Sequence, residues 1–473
     1  MDIITGKILK LNGWPDGKII GLAKDAAARL LDEGLDRDSV LARLGAVRQN
    51  PGPFLADGLL ADLARECIRV TQKDEAPDAE LRERPLEYPV WGRENIDDGA
   101  VAQMDNAMRL PVSVAGALMP DAHVGYGLPI GGVLATDNAV IPYAVGVDIA
   151  CRIKLSLYEV SPHLLGQKKG MFEDALWNQT AFGMGSEWKG NRRADHAVLD
   201  DSAWNATRLL KTLQDNAARQ LGTSGTGNHF VEWGSFRLDQ PLFNLAPGEY
   251  LALLSHSGSR SVGFKIADRY SKLAMEKHPD LDKSVRHLAW LTLDSEAGQE
   301  YWLSMELAGR FASANHYVIH HRVAEAVGLK EAAVIENHHN FAWREKLPDG
   351  REVIVHRKGA TPAGVGVLGV IPGSMGDAGY LVRGRGISSA LESASHGAGR
   401  LMSRRAALNS ISKSARDAYL KERGVTLLGG GLDESPQAYK PIDAILAAQA
   451  DLVETLGKFT PRIVRMADEA GNF

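Results

Sequence analysis

Cysteine is nearly absent: the 473-residue chain carries two, Cys67 and Cys151. That excludes a disulfide framework and points to a reducing compartment. Long apolar runs are missing too, because no stretch approaches the about 18 residues that a membrane-crossing helix needs and no basic-then-apolar signal opens the chain. The expectation is a soluble, cytoplasmic protein with no membrane partner. Excess charge of either sign is small, 54 basic against 59 acidic side chains for a net −5. A uniformly basic nucleic-acid wrapper is thereby excluded, whereas a local basic groove is not. The pattern Gly-x-x-x-x-Gly-Lys-Ser/Thr does not occur, which argues against a P-loop fold. Internal repeats and low-complexity tracts are also lacking.

What remains is an ordinary globular composition, 44% hydrophobic and 24% charged, with 49 glycines. Length alone fits about three domains or one large α/β core with an appendage. Residues 1–88 read as a small helical appendage and linker. Gly21–Gly34 and Phe54–Val70 carry apolar residues at helical spacing, and residues 72–80 with Pro85 and Pro89 form a charged, proline-broken link. Residues 89–473 read as an α+β, mixed-sheet catalytic domain. Strands are expected at 133–136, 140–147, 153–158, 250–255, 353–356 and 379–382. Helices are expected at 290–327 and 401–422, closed by Gly328 and Gly424.

Five segments of this body place a strand-like run beside a polar loop that carries His, Asp or Cys: 119–132, 146–151, 225–232, 255–260 and 337–340. Asp148 and Cys151, three apart, can converge on one ion from a turn, and His229, His256 and His339 could complete the set. A mixed carboxylate, thiolate and imidazole set suits Mn, Zn, Fe or Co without choosing among them. A thiolate can bridge two ions, and a binuclear site suits phosphoryl chemistry. In a sixth segment, Ser395-His-Gly-Ala-Gly-Arg400, the Gly397, Ala398 and Gly399 amides are expected at a helix N-terminus where they hold a phosphate. His396 would face that phosphate as a nucleophile, with Arg400 as a bidentate partner. His356, Arg357, Lys358, Arg383, Arg385, Arg400, Arg404, Arg405, Lys413 and Arg416 crowd around it in sequence and predict a local cationic patch. Gly364-Val-Gly-Val-Leu-Gly369 matches the dinucleotide fingerprint, but Val370-Ile-Pro-Gly follows and no helix, so it reads as a glycine-rich loop.

Nine ordered motifs carry a resemblance over roughly residues 90–470: Pro120-Asp-Ala-His-Val-Gly-Tyr-Gly, Gly146-Val-Asp-Ile-Ala-Cys, Gly227-Asn-His-Phe-Val-Glu, His256-Ser-Gly-Ser-Arg, His338-His-Asn, His356-Arg-Lys-Gly-Ala-Thr, Pro372-Gly-Ser-Met-Gly, His396-Gly-Ala-Gly-Arg and Ala438-Tyr-Lys. In these the chain resembles the RtcB family of RNA-splicing ligases. The resemblance implies an enzyme that uses GTP and two Mn²⁺ ions to join an RNA 3′-phosphate or 2′,3′-cyclic phosphate to a 5′-hydroxyl, in RNA repair or tRNA splicing. It implies guanylylation of His396 and a metal pair held by Asp148, Cys151, His229, His256 and His339, with Cys151 bridging. Asp121 and His123 would position the incoming phosphate or handle the proton of the 5′-hydroxyl. Asn228, Asn340, Ser374, Gly397, Ala398, Gly399, Arg400 and Tyr439 would bind the nucleotide, and Glu232 the guanine edge. RNA ends are the implied partner, with room left for an activating protein.

The chain departs from the family pattern in having no lysine after Lys458, Val124 at a usually basic position, Ser395 at a position often held by cysteine, a short 360–372 loop and the N-terminal module. These features favour a divergent RNA-repair ligase over a housekeeping splicing enzyme. Two other readings are a binuclear metallo-phosphoesterase that opens RNA 2′,3′-cyclic phosphates, and a non-catalytic RNA-end binder.

Overall fold

The computed structural model describes residues 4–15, 17–55, 57–71 and 80–468. Most of the expected linker, residues 72–79, lies outside the described residues, as do residues 469–473. The chain clusters into two units, Met1–Ala79 with Leu293–Gln299, and Glu80–Thr292 with Glu300–Phe473.

In the first unit, helices Gly6–Leu11, Lys18–Asp32, Arg37–Gln49 and Ala61–Thr71 enclose their own core, in which Leu9, Trp14, Leu30, Leu44 and Leu63 are buried. The caps are local. Thr5 accepts from the Ile8 amide, and Asp36 accepts from the amides of Asp38 and Ser39, which satisfies N–H groups the helices leave orphaned.

The second unit is built on an eight-stranded sheet. Its order is Leu368–Ile371, Gly379–Gly384, Val453–Met466, Phe230–Leu238, Gly248–Ser257, Arg152–Tyr158, Ala333–His338, with Thr426–Leu428 running parallel to Val453–Met466. Asn337, on one edge strand, nearly closes it. Its Nδ2 donates to Val370 O at 3.3 Å and its Oδ1 accepts from Val370 N at 2.9 Å on the other edge strand. Period-two alternation in Arg152–Tyr158 sends Ile153, Leu155 and Leu157 to one core, while Tyr158 joins Phe172 and Trp233 in another. A second, antiparallel sheet orders Ser113–His123, Ile130–Thr136, Glu352–Lys358 and Asn340–Lys346.

The α+β class holds, and three expected elements are corrected. Residues 140–147 are not a strand: Ala139–Val140 is short and Pro142–Val145 turns into a helix, with proline at its start and Gly146 at φ 106° ending it. The helix expected from Trp290 begins at Glu296, because Leu291–Thr292 pairs with Ala139–Val140 instead. Residues 401–422 form two helices, Arg404–Ser410 and Lys413–Glu422, each capped by its own serine, Ser403 and Ser412. Gly328 and Gly424 close their helices in the left-handed region, as expected. Leu368–Ile371 is a strand, so the fingerprint-like glycines open no nucleotide-binding helix.

Gly234 faces the neighbouring strand so closely that an added Cβ would lie 2.3 Å from Thr460 O. Gly234→Ala is expected to destabilise the fold by about 1–3 kcal/mol through overpacking, read as a lower midpoint in denaturant. Burial also pushes two structural imidazoles down, His316 to about 3 and His356 to about 4. Such groups bind protons preferentially in the unfolded chain, so their stabilising contribution is present above the unfolded value of about 6.5 and is lost as pH falls below it. Each is expected to remove about 2 kcal/mol between about pH 7 and about pH 5, measured as a falling denaturation midpoint.

Candidate active site

Four neighbouring strands deliver the cluster. Cys151 immediately precedes Arg152–Tyr158, His256 lies at the end of Gly248–Ser257, His229 precedes Phe230–Leu238 and His339 follows Ala333–His338. Because these strands are antiparallel neighbours, alternating starts and ends fall at one end of the sheet. Cys151 Sγ is 3.4 Å from His229 Nε2 and 3.1 Å from His256 Nε2, and His256 Nε2 is 3.3 Å from His339 Nε2. Asp148 Oδ2 is 3.1 Å from His229 Nε2. The Asp148 turn is packed so tightly that a Cβ on Gly258 would lie 2.2 Å from its carboxylate.

The donor set fits a cation. His256 donates Nδ1–H to Asn228 O at 3.1 Å, which turns a bare Nε2 lone pair toward Cys151 and His339. Burial drives the His256 and His339 imidazoles well below their usual range, keeping them neutral as metal ligands must be. Burial, reinforced by the Asp148 charge, raises the Cys151 thiol. Burial would also raise Asp148, but the hydrogen bond and charge of His229 hold it below the carboxylate range. Cys151, His229 and His256 form a buried group whose ligand atoms all lie within 4.8 Å of one another. His339 Nδ1 is buried without a partner.

His396 stands beside this cluster, its ring centroid 4.8 Å from that of His339. Its Nδ1 lies 2.7 Å from Asp121 Oδ2, which also accepts from the His396 amide at 3.2 Å and the Gly397 amide at 3.4 Å. Asp121 itself is fully buried. An Nδ1–H donated to this carboxylate leaves Nε2 as a lone pair. A cavity of about 990 Å³ opens in front, lined by His396 with His123, Asn228, Phe230, His256, Ser374, Gly397, Ala398, Gly399, Arg400 and Tyr439. All its lining residues belong to the second unit. Gly399, at φ 72°, lets the chain pass so close that a Cβ there would lie 2.1 Å from Asp121 O.

Several expected residues take other places. Gly397 to Gly399 do not start a helix, since the next one begins at Arg404 under the Ser403 cap and Gly397 donates to Asp121. Arg400 is not a free fork: its donors go to Met402 O, Glu434, Tyr439 Oη and Asp433 O, leaving about one N–H for a ligand. Asn340 donates to Asp148 O at 3.2 Å and accepts from Gly359 N at 2.9 Å, so both ends of its amide are engaged. Glu232 lies outside the lining residues of the cavity; its Oε2 is buried and unpartnered, and burial raises its carboxyl well above the usual range.

The cationic patch expected around His396 is also largely neutralised. Arg357 pairs with Glu345, Arg383 with Glu454, Arg404 with Asp433 and Glu434, and Lys413 and Arg416 with Asp417. Arg404 and Arg405 remain on the cavity wall. Two residues without an individual role in the sequence reading matter here. Glu434 is buried and holds Arg400, Arg404 and Tyr439 together. Lys358, pushed down to about 7 by burial, donates to Tyr126 O. The signal for Glu434 was an acid pair, Asp433-Glu434, close in sequence to an arginine cluster. Ser395 is fully buried and bonded through both its amide and its hydroxyl to Gln449, a fit that suits a small hydroxyl.

A buried Cys/His cluster compatible with a metal site stands in ring contact with a carboxylate-oriented imidazole at a cavity wall. The family described as tRNA-splicing ligase RtcB matches residues 103–467. The RNA-splicing ligase RtcB of Escherichia coli (strain K12) is 34% identical over 391 residues, covering 76% of this chain and 92% of that protein. The tRNA-splicing ligase RtcB of Thermococcus kodakarensis is 30% identical over 463 residues, covering 79% and 94%. The RNA-splicing ligase RtcB of Mycobacterium tuberculosis is 32% identical over 431 residues, covering 76% and 98%. The chain belongs to the RtcB family.

Proposed function

We propose that this protein is a GTP-dependent RNA ligase that joins 3′-phosphate or 2′,3′-cyclic phosphate ends to 5′-hydroxyl ends, in RNA repair or tRNA splicing. The observation that carries the reading is His396: Nδ1 tied to buried Asp121, ring against His339, and the side chain on the cavity wall. Nε2 of His396 attacks the α-phosphorus of GTP; an N–P bond forms and pyrophosphate leaves. A 2′,3′-cyclic end is first opened by water to the 3′-phosphate; an oxygen of that phosphate then takes the GMP as the N–P bond breaks, and the 5′-hydroxyl attacks the RNA phosphorus and displaces GMP.

Asp121 holds the imidazole in the nucleophilic tautomer and stabilises the positive charge that develops on it. Asp148, Cys151, His229, His256 and His339 would hold two manganese ions, which when bound would offset phosphate charge in the transition state. His123, neutral because burial pushes it down to about 4, donates Nδ1–H to Asp121 O at 3.0 Å and offers Nε2 as a base for the 5′-hydroxyl proton. Asn228, Ser374, Tyr439 and the 397–400 turn hold the nucleotide. Asn340 acts from behind by tying the Asp148 turn to Gly359. Residues 1–88 are an appendage to the ligase body of residues 89–473. Cys67 and Cys151 form no disulfide with one another, in keeping with work in a reducing cytoplasm.

The test is joining of RNA oligonucleotides bearing 3′-phosphate and 5′-hydroxyl ends by the purified chain with GTP and Mn²⁺. A joined product is expected, and activity of the chain alone also decides whether an activating protein is needed. Opening of cyclic phosphate that is indifferent to GTP, with no joining, would overturn the reading. Asp121→Asn keeps the shape but spoils the tautomer, so single-turnover guanylylation is expected to slow by about a hundredfold or more with bound metal unchanged.

A further inference from the structure

The mouth of the His396 cavity is apolar. Val124, Tyr126, Val147 and Leu401 line it while remaining 53, 69, 43 and 63% exposed. Single exposed apolar side chains are ordinary, but four around one opening form a patch that calls for an occupant. The backbone beneath the first two is fixed. Gly125 N donates to Gln103 Oε1 at 2.9 Å, Gln103 Nε2 donates back to Gly125 O at 2.5 Å, and buried Lys358 caps Tyr126 O. The Tyr126 ring meets His287 edge-on at 6.2 Å, and His287 packs on Tyr143 at 5.0 Å, so the exposed ring is braced from one side.

The same cavity carries a polar interior of opposite character, with the His396 imidazole, the Arg405 guanidinium and the one N–H that Arg400 keeps unspent. An occupant that matches both parts has a flat apolar face joined to an anion, which is the chemistry of a nucleotide within a single strand. Resting on the ligase reading above, we propose that Tyr126, which shares the cavity lining with Val124 and Leu401, is a stacking subsite for an unpaired nucleobase of the RNA strand whose terminal phosphate reaches His396. Val124 suits this role because an apolar side chain favours a base face over a phosphate.

The experiment uses the full chain and a single-stranded RNA 3′-phosphate with 2-aminopurine as its last base, whose fluorescence is quenched by stacking. Quenching on binding is expected for the wild type. Tyr126→Ala is expected to lose it and to bind about tenfold more weakly, within the range a base–aromatic stack contributes. Tyr126→Phe is expected to keep both properties, which separates stacking from a failure to fold. A strand ending in an abasic phosphate is expected to bind wild type and Tyr126→Ala alike. Unchanged quenching and affinity in Tyr126→Ala, equal loss in Tyr126→Phe, or no quenching by the wild type overturns the subsite. A protein that binds and quenches but never joins ends overturns the ligase reading alone, and one that joins ends with Tyr126 irrelevant overturns the subsite alone.

Discussion

His396→Ala is expected to abolish covalent labelling of the protein by GTP carrying a labelled α-phosphate, a fall of at least about a thousandfold, because no other group can replace a missing nucleophile. The geometry explains why the loss should be nearly complete. Among the described residues, only His396 has a ring nitrogen tied to the Asp121 carboxylate while its ring touches His339 of the Cys/His cluster. His123 lies close by, yet its Nδ1 is spent on a backbone oxygen and it has no carboxylate behind it. His396→Asn serves as the control. It fills part of the same space, can still donate to Asp121, and is expected to show no label at an unchanged melting temperature. RNA joining should fall in parallel, whereas metal content should stay at the wild-type level.

The second large effect is expected at Cys151. Cys151→Ser should strip bound divalent metal, measured by elemental analysis of the purified protein, and should reduce guanylylation by a factor of about a thousand or more. Serine nearly reproduces the shape, so the loss reports on ligand chemistry. A buried hydroxyl does not become an anion at neutral pH, whereas a thiol releases its proton to solvent as its sulfur binds a metal ion. Cys151 Sγ is within 3.4 Å of both His229 and His256, and these in turn reach Asp148 and His339. Losing the central ligand should therefore weaken both halves. His339→Ala, at one side only, is expected to leave part of the metal in place.

That these side chains could meet was legible because they lie in short loops next to strands, where residue type and glycine spacing carry the signal. Asp148, Cys151, His229, His256 and His339 could be named as one set, although their convergence depends on strand order, which local pattern does not encode. The helical appendage and the glycine caps at Gly328 and Gly424 followed from local rules. What failed was long-range. Residues 140–147 look like a strand by β-branched content, but Pro142 and the partner available to Val140 decide otherwise. The Gly397–Gly399 turn looks like a helix start, yet buried Asp121 claims the amides there, and its own strand lies about 275 residues earlier in the chain. The cationic patch was overcounted because sequence shows charges but not their partners, such as Glu345, Asp417 and Glu434. The 14-residue strand Val453–Met466 escaped notice because Pro461 and alternating polar residues disguise it; a register shift falls between Pro461 and Ile463.

The most direct test of the central claim is to map the covalent nucleotide. The protein is incubated with GTP and Mn²⁺, digested under alkaline conditions that preserve phosphoramidates, and its peptides are sequenced by mass spectrometry. The account predicts one GMP adduct, acid-labile, on the imidazole of His396. A stable adduct on a lysine or on any other histidine, or joining of RNA ends with no adduct formed, would contradict it.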